Sequence, residues 1–187
     1  GALERAESPS NTKDSVSLSF EIFGQKWGDS QITGSGGGIV SYSFASANFS
    51  DQFVTFDSFI TDSNFQEEIT EAFSVWEDEA NIKFVLSPDN RDVDIRFGWR
   101  DIDGNGGVLG TTIVPSSGKL DNVVIGLDID ENWFLSGNAP PDQIDFSSTV
   151  IHEIGHAIGI GHSNDEQALM NAAYSTTLFD LQKDDID

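Results

Sequence analysis

Cysteine is absent from all 187 residues. Its absence excludes disulfides, thiolate metal sites and cysteine nucleophiles. Positive charge is scarce, with 9 Lys and Arg against 32 Asp and Glu and a net charge of −23. Nucleic acid is therefore excluded as a partner, because its binding rests on Lys and Arg set against phosphate. Most of these carboxylates read as a solvated acidic face, and the excess suits hard cations such as calcium. No apolar run approaches the length of a bilayer span, and no basic-then-apolar segment opens the chain. A soluble protein is expected, with 37% hydrophobic and 11% aromatic residues to build one globular domain.

Histidine is scarce too, yet its distribution is far from even. All three histidines lie within HEIGHAIGIGHS, residues 152–163. Residues four apart on a helix are separated by about 40° around the axis and about 6 Å along it. On a helix, His152 and His156 would project from one face and could share an ion. Glu153 would sit on the adjoining face, within reach of whatever the imidazoles hold. Gly159 permits a positive-φ exit, so the chain can turn and return His162 as a third ligand. Zinc accepts three neutral imidazoles and keeps a position for water when the site is catalytic. An isolated HExxH is a weak signal, whereas HExxHxxGxxH is a specific one.

Along the chain, residues 1–15 read as a flexible leader. VSLSFEIF (16–23) alternates as a half-buried strand, with Val16, Leu18, Phe20 and Ile22 on one side. A glycine-rich connector (28–38) precedes a strand at 39–45. Residues 61–80 form the clearest helix, with Phe65, Ile69, Phe73, Trp76 and Ala80 at helical spacing and a Ser63–Gln66 capping box. Strands are expected at 82–86, 93–99, 108–114 and 122–129, then a second helix at 147–159. The order is strand, helix, several strands, helix, irregular chain.

His152-Glu153-x-x-His156-x-x-Gly159-x-x-His162 resembles the zinc motif of the metzincin metallopeptidases. Ser163 after the third histidine, and Met170-x-x-x-Tyr174 beyond it, resemble the matrixin branch. The opening WGDSQITGSGGGIVSYSFA has weaker serralysin-like features. The resemblance implies an α+β metzincin catalytic domain over 16–187: a mixed twisted sheet, an N-terminal-half helix, an active-site helix and an irregular C-terminal part carrying the Met-turn at Met170. It further implies zinc on His152, His156 and His162, with Glu153 as general base. DGNGGVLGTTIVP (103–115) and LDIDENW (127–133) resemble a matrixin calcium loop and the segment returning to it. Carried over, Asp103, Asp128 and Glu131 would supply carboxylates to calcium, and Gly104 and Gly106 backbone carbonyls. Leu109, Gly110 and Tyr174 would border the substrate cleft. Ala172 stands where matrixins usually have Pro. The positions of the matrixins' second, structural zinc are Arg96, Gly98, Thr111 and Gly126 here, so that site is expected to be absent.

The implied activity is that of a secreted, monomeric zinc endopeptidase acting on extended protein substrates. A catalytically silent zinc- and calcium-binding matrix module is the rival, and the intact Glu153 argues against it. Leu178, Leu181 and Ile186 are spaced to begin an amphipathic last helix with Asp180 or a neighbour as cap. Its shortness suggests a domain truncated at that helix.

Overall fold

The structure is a computed structural model that describes residues 20–30, 32, 34–50, 54–115, 119–135 and 139–186. The leader at 1–15 and the first part of the strand expected at 16–23 lie outside the described residues. The rest of that strand, β1 (Phe20–Ile22), is short and leaves Ile22 60% exposed rather than half-buried.

The central sheet contains β2 (Gly38–Phe44), β3 (Ile82–Leu86), β4 (Ile95–Arg100), β5 (Gly110–Ile113) and β6 (Val123–Asp128), in the order β3-β2-β4-β6-β5. The first four strands run parallel, and β5 closes the edge antiparallel to β6. All six residues of β6 (VVIGLD) are buried. A strand covered on both faces loses the polar–apolar alternation that marks a half-solvated one. Each expected strand of the sheet is present, β3 with its expected bounds and the others with ends displaced by one or two residues.

Helix α1 (Ser63–Glu79) buries Ile69, Ala72, Phe73 and Trp76, a stripe at helical period. Its cap differs from the expected Ser63–Gln66 box. The chain leaves extended conformation at Asp62, whose carboxylate accepts from the Asn64 amide, while Gln66 Nε2 donates to the Ile60 carbonyl. Asp62 stands one residue earlier, where a side-chain oxygen meets the first free amides.

Helix α2 (Phe146–Ala157) is capped by Asp145, which accepts from the Ser148 amide. It packs on α1, where Trp76 Nε1 donates to the Ile151 carbonyl at 2.8 Å. Trp27 Nε1 donates to the Ala157 carbonyl at the other end of α2, also at 2.8 Å. Two buried indoles thus satisfy their N–H groups on the helix that carries the histidines and fix its position. The two-residue strands β7 (Trp133–Phe134) and β8 (Ile144–Asp145) pair in parallel just before it.

Beyond α2, Gly159 takes φ +104°, and a side chain there would collide with the Gln25 carbonyl. Strand β9 (Ile160–Ser163) follows and pairs antiparallel with β1. The last helix, α3 (Lys183–Ile186), is a single turn. Leu178 and Leu181, expected to begin that helix, lie ahead of it and are partly buried against the core, and Ile186 is exposed. The Asp180 carboxylate accepts from the adjacent Leu181 amide and its carbonyl from Gln182 Nε2; Asp185 takes the Gln182 amide and is itself buried.

Candidate active site and metal centre

The site is assembled where α2, β9, β5 and the turn after β9 meet. His152 and His156 leave α2 four residues apart, and the Gly159 turn carries His162 back to them. Their ligand nitrogens all lie within 4.8 Å of one another. Among the described residues, no other set of His, Asp or Glu ligand atoms comes together as closely. His152 Nδ1 lies 2.8 Å from the Leu169 carbonyl, and His156 Nδ1 lies 2.8 Å from the Ile160 carbonyl. A carbonyl only accepts, so each Nδ1 carries the proton and each Nε2 keeps a lone pair. His156 Nε2 and His162 Nε2 face each other at 3.2 Å. Burial lowers the pKa of His156 to about 3, with the His152 charge adding to the effect, and lowers that of His152 as well. Neutral imidazoles with inward lone pairs are the donor set that zinc takes. Phe23 stacks on the outer side of His156, with centroids 5.9 Å apart.

Glu153 is 5% exposed and lies against β5. Burial raises its carboxyl pKa to about 7, only partly offset by a hydrogen bond from Thr112. A carboxyl so placed can gain and lose a proton near neutral pH. A cleft of about 320 Å³ opens on this group. It brings together Leu109, Gly110, His152, Glu153, His162 and Tyr174, all of which the sequence singled out. Tyr174 also has a second contact: its hydroxyl accepts from the Asp145 amide at 2.9 Å, tying the cleft wall to the cap of α2.

Met170 is fully buried beneath α2, against Gly155. Its turn is held by Asp185, whose two oxygens accept from the amides of Leu169 and Met170 at 2.9 and 2.8 Å. Asp185 sits in an acidic tail run, KDDID, where no sequence signal sets it apart. Ser148 and Thr149 at the cleft were likewise missed, because the expected helix gave no indication of which face of its first turn would be open.

The acidic loop departs in detail from its expected form. Gly104 and Gly106 take positive φ, as a tight loop needs. The sequence comparison had them offering carbonyls, but here their amides donate, Gly104 to Asp128 Oδ2 and Gly106 to Glu131 Oε1. Asp103 accepts from the Val108 amide. These amide bonds satisfy one oxygen of each carboxylate within the loop. Asp128 is fully buried, and Glu131 Oε2 is buried without a hydrogen-bond partner among the described residues.

At the positions matching the second matrixin zinc, Arg96 is 2% exposed and forms an ion pair with Asp89 at 2.7 Å. Gly126 leaves room for the Arg100 side chain, whose Nη1 donates to Thr111 Oγ1 at 3.2 Å.

The sequence model of the matrixin peptidase family matches residues 43–187. The chain is 34% identical over 140 residues to Metalloendoproteinase 1 of Glycine max, covering 67% of this chain and 44% of that protein. It is 37% identical over 131 residues to Metalloendoproteinase 2-MMP of Arabidopsis thaliana, covering 62% of this chain and 33% of that one. It is 33% identical over 144 residues to human Matrix metalloproteinase-16, covering 68% of this chain and 23% of that one. The chain thus spans less than half the length of each of these relatives. The family implies zinc, and the mixed sheet with its histidine-bearing helix is the α+β metzincin architecture expected. The match covers β3 to β6 with the end of β2, the histidine stretch and the Met170 turn, and this chain belongs to the matrixin family of peptidases.

Proposed function

We propose that the protein is a zinc-dependent endopeptidase that cleaves extended protein substrates, with His152, His156 and His162 as ligands and Glu153 as general base. The observation that carries this reading is the convergence of three imidazoles beside a buried carboxyl that lines an open cleft. Zinc, when bound, supplies Lewis acidity and lowers the pKa of water toward neutrality.

The chain's own groups do the rest. Strand β5 ends the sheet, so an extended peptide can pair along its outer edge and gain main-chain hydrogen bonds. Gly110 and Leu109 then flank the scissile bond, and Tyr174 borders the side-chain pocket. The Glu153 carboxylate takes a proton from the attacking water and delivers it to the leaving amine. Its raised pKa suits both transfers at neutral pH. The site needs no second copy of the chain, which supports a monomer.

Calcium is the second proposed ion, held by Asp103, Asp128 and Glu131 with the loop at Gly104 and Gly106. The buried Asp128 and the unpartnered Glu131 oxygen support it, since buried carboxylates call for a cation. An extracellular location suits calcium and the acidic surface. No helix among the described residues is long and apolar enough to cross a membrane.

Digestion of an unfolded protein tests the assignment. Cleavage should stop when a zinc chelator is added and return with excess zinc. A protein that binds zinc stoichiometrically yet cleaves nothing would instead be the silent binding module.

A further inference from the structure

Strand β5 faces α2 through two residues, Gly110 and Thr112, and both meet the same side chain. Thr112 Oγ1 lies 2.9 Å from the Glu153 carbonyl oxygen and 2.5 Å from Glu153 Oε2. One hydroxyl, with a single proton to donate, lies between the backbone carbonyl and the carboxyl of one residue, which restrains the Glu153 side chain relative to its own helix. The shorter contact falls in the range of O–H···O bonds to a charged oxygen. At Gly110 an added Cβ would lie 2.9 Å from Glu153 Oε1 and 3.0 Å from its Cγ. Gly110 thus leaves the space that this oxygen occupies. Among the described residues Oε1 has no hydrogen bond, and it is not among the fully enclosed polar atoms. The two carboxyl oxygens are differentiated: Oε2 is tethered inward and Oε1 looks over Gly110 into the cleft.

We propose that Thr112 is a positioning residue for Glu153, holding the carboxyl so that Oε1 alone is presented to the reacting water. The proposal rests on the reading of Glu153 as general base. A base swinging between rotamers spends part of its time out of reach, and sub-ångström placement governs proton transfer. Because Thr112 lies on the strand that would pair with substrate, peptide docking on β5 also steadies the tether.

Thr112→Val keeps the shape and removes the hydroxyl, and Thr112→Ser keeps the hydroxyl. For the zinc-loaded Thr112→Val protein, kcat on an unfolded-protein substrate should fall on the order of tenfold with KM unchanged. Zinc content should stay at wild-type stoichiometry, and Thr112→Ser should restore most of kcat. A crystal structure of Thr112→Val should show the Glu153 carboxyl rotated or spread over rotamers, a readout independent of turnover. In a Glu153→Asp background, Thr112→Val should cost little more, because the shortened side chain no longer reaches the tether.

Wild-type kcat in zinc-loaded Thr112→Val would overturn the proposal, as would a kcat loss that Thr112→Ser fails to restore. An equal loss in the Glu153→Asp background would assign Thr112 a role unconnected with Glu153. Full cleavage by Glu153→Ala would overturn the underlying reading of the base, whatever Thr112 does.

Discussion

Met170 Sδ fills the space that a side chain at Gly155 would need. The sulfur packs against the last turn of α2, with Trp76 on the same spot. Gly155→Ala should therefore destabilise the fold by about 1–3 kcal/mol through overpacking. Met170→Ala frees that space, so the double variant should lose less than the two single losses added. Urea unfolding of the four proteins measures both terms; strict additivity would place the two residues out of contact.

Asp185 acts on the same turn from the far side. Its carboxylate accepts from three backbone amides, those of Leu169, Met170 and Gln182. Leu169 is also the residue whose carbonyl holds His152 Nδ1. Asp185→Ala strands the two buried donors of Leu169 and Met170 and the half-buried one of Gln182, and should cost roughly 3 kcal/mol. Zinc affinity should fall with it, since the Leu169 carbonyl would no longer be fixed. Unchanged zinc affinity in a folded Asp185→Ala protein would separate this tail from the metal centre.

The zinc motif was legible because its logic is local. Spacing on one helix and a glycine turn bring the imidazoles together with little help from the rest of the fold. Thr112 and Asp185 were not legible, because Glu153 lies 41 residues from Thr112, and Met170 and Leu169 lie 15 and 16 from Asp185, so only the folded chain brings them together. The cap of α1 was misplaced by one residue because Asp62 and Ser63 are both good caps, and only backbone geometry chooses between them. The strands of the sheet were visible from their β-branched and aromatic runs. The buried role of Arg96 was not, since in sequence it is one more alternating polar residue of β4.

Arg96 and Asp89 set an acid limit on stability. Burial alone would raise the Asp89 carboxyl, but the Arg96 guanidinium and the Ser46 and Ser43 donors hold it at about 2. A carboxyl whose folded pKa lies below its unfolded value stabilises the fold above the unfolded value of 3.8 and loses that contribution as pH falls toward 2. The amount is about 2 kcal/mol. The stability advantage of the wild type over Asp89→Asn should thus be full at pH 5 and shrink toward pH 2. A difference that stays constant over that range would contradict the ion-pair account.

Calcium should raise the melting temperature without entering the chemistry. An ion that binds only the folded state stabilises by about 2.7 kcal/mol at a hundredfold excess over Kd. Asp128→Ala should abolish most of that gain while leaving zinc content intact. Melting curves with and without calcium that coincide for the wild type would make 103–108 and 128–131 a plain acidic turn.

The most direct test of the central claim is the zinc content and turnover of Glu153→Ala, measured on the same preparation. The substitution removes the carboxyl and leaves all three imidazoles, with the backbone partners of His152 and His156, in place. One zinc per chain should remain, while turnover of an unfolded protein should fall by a factor on the order of 10² or more. Cleavage at the wild-type rate with zinc in place would contradict the role of Glu153, and with it the mechanism proposed for this site.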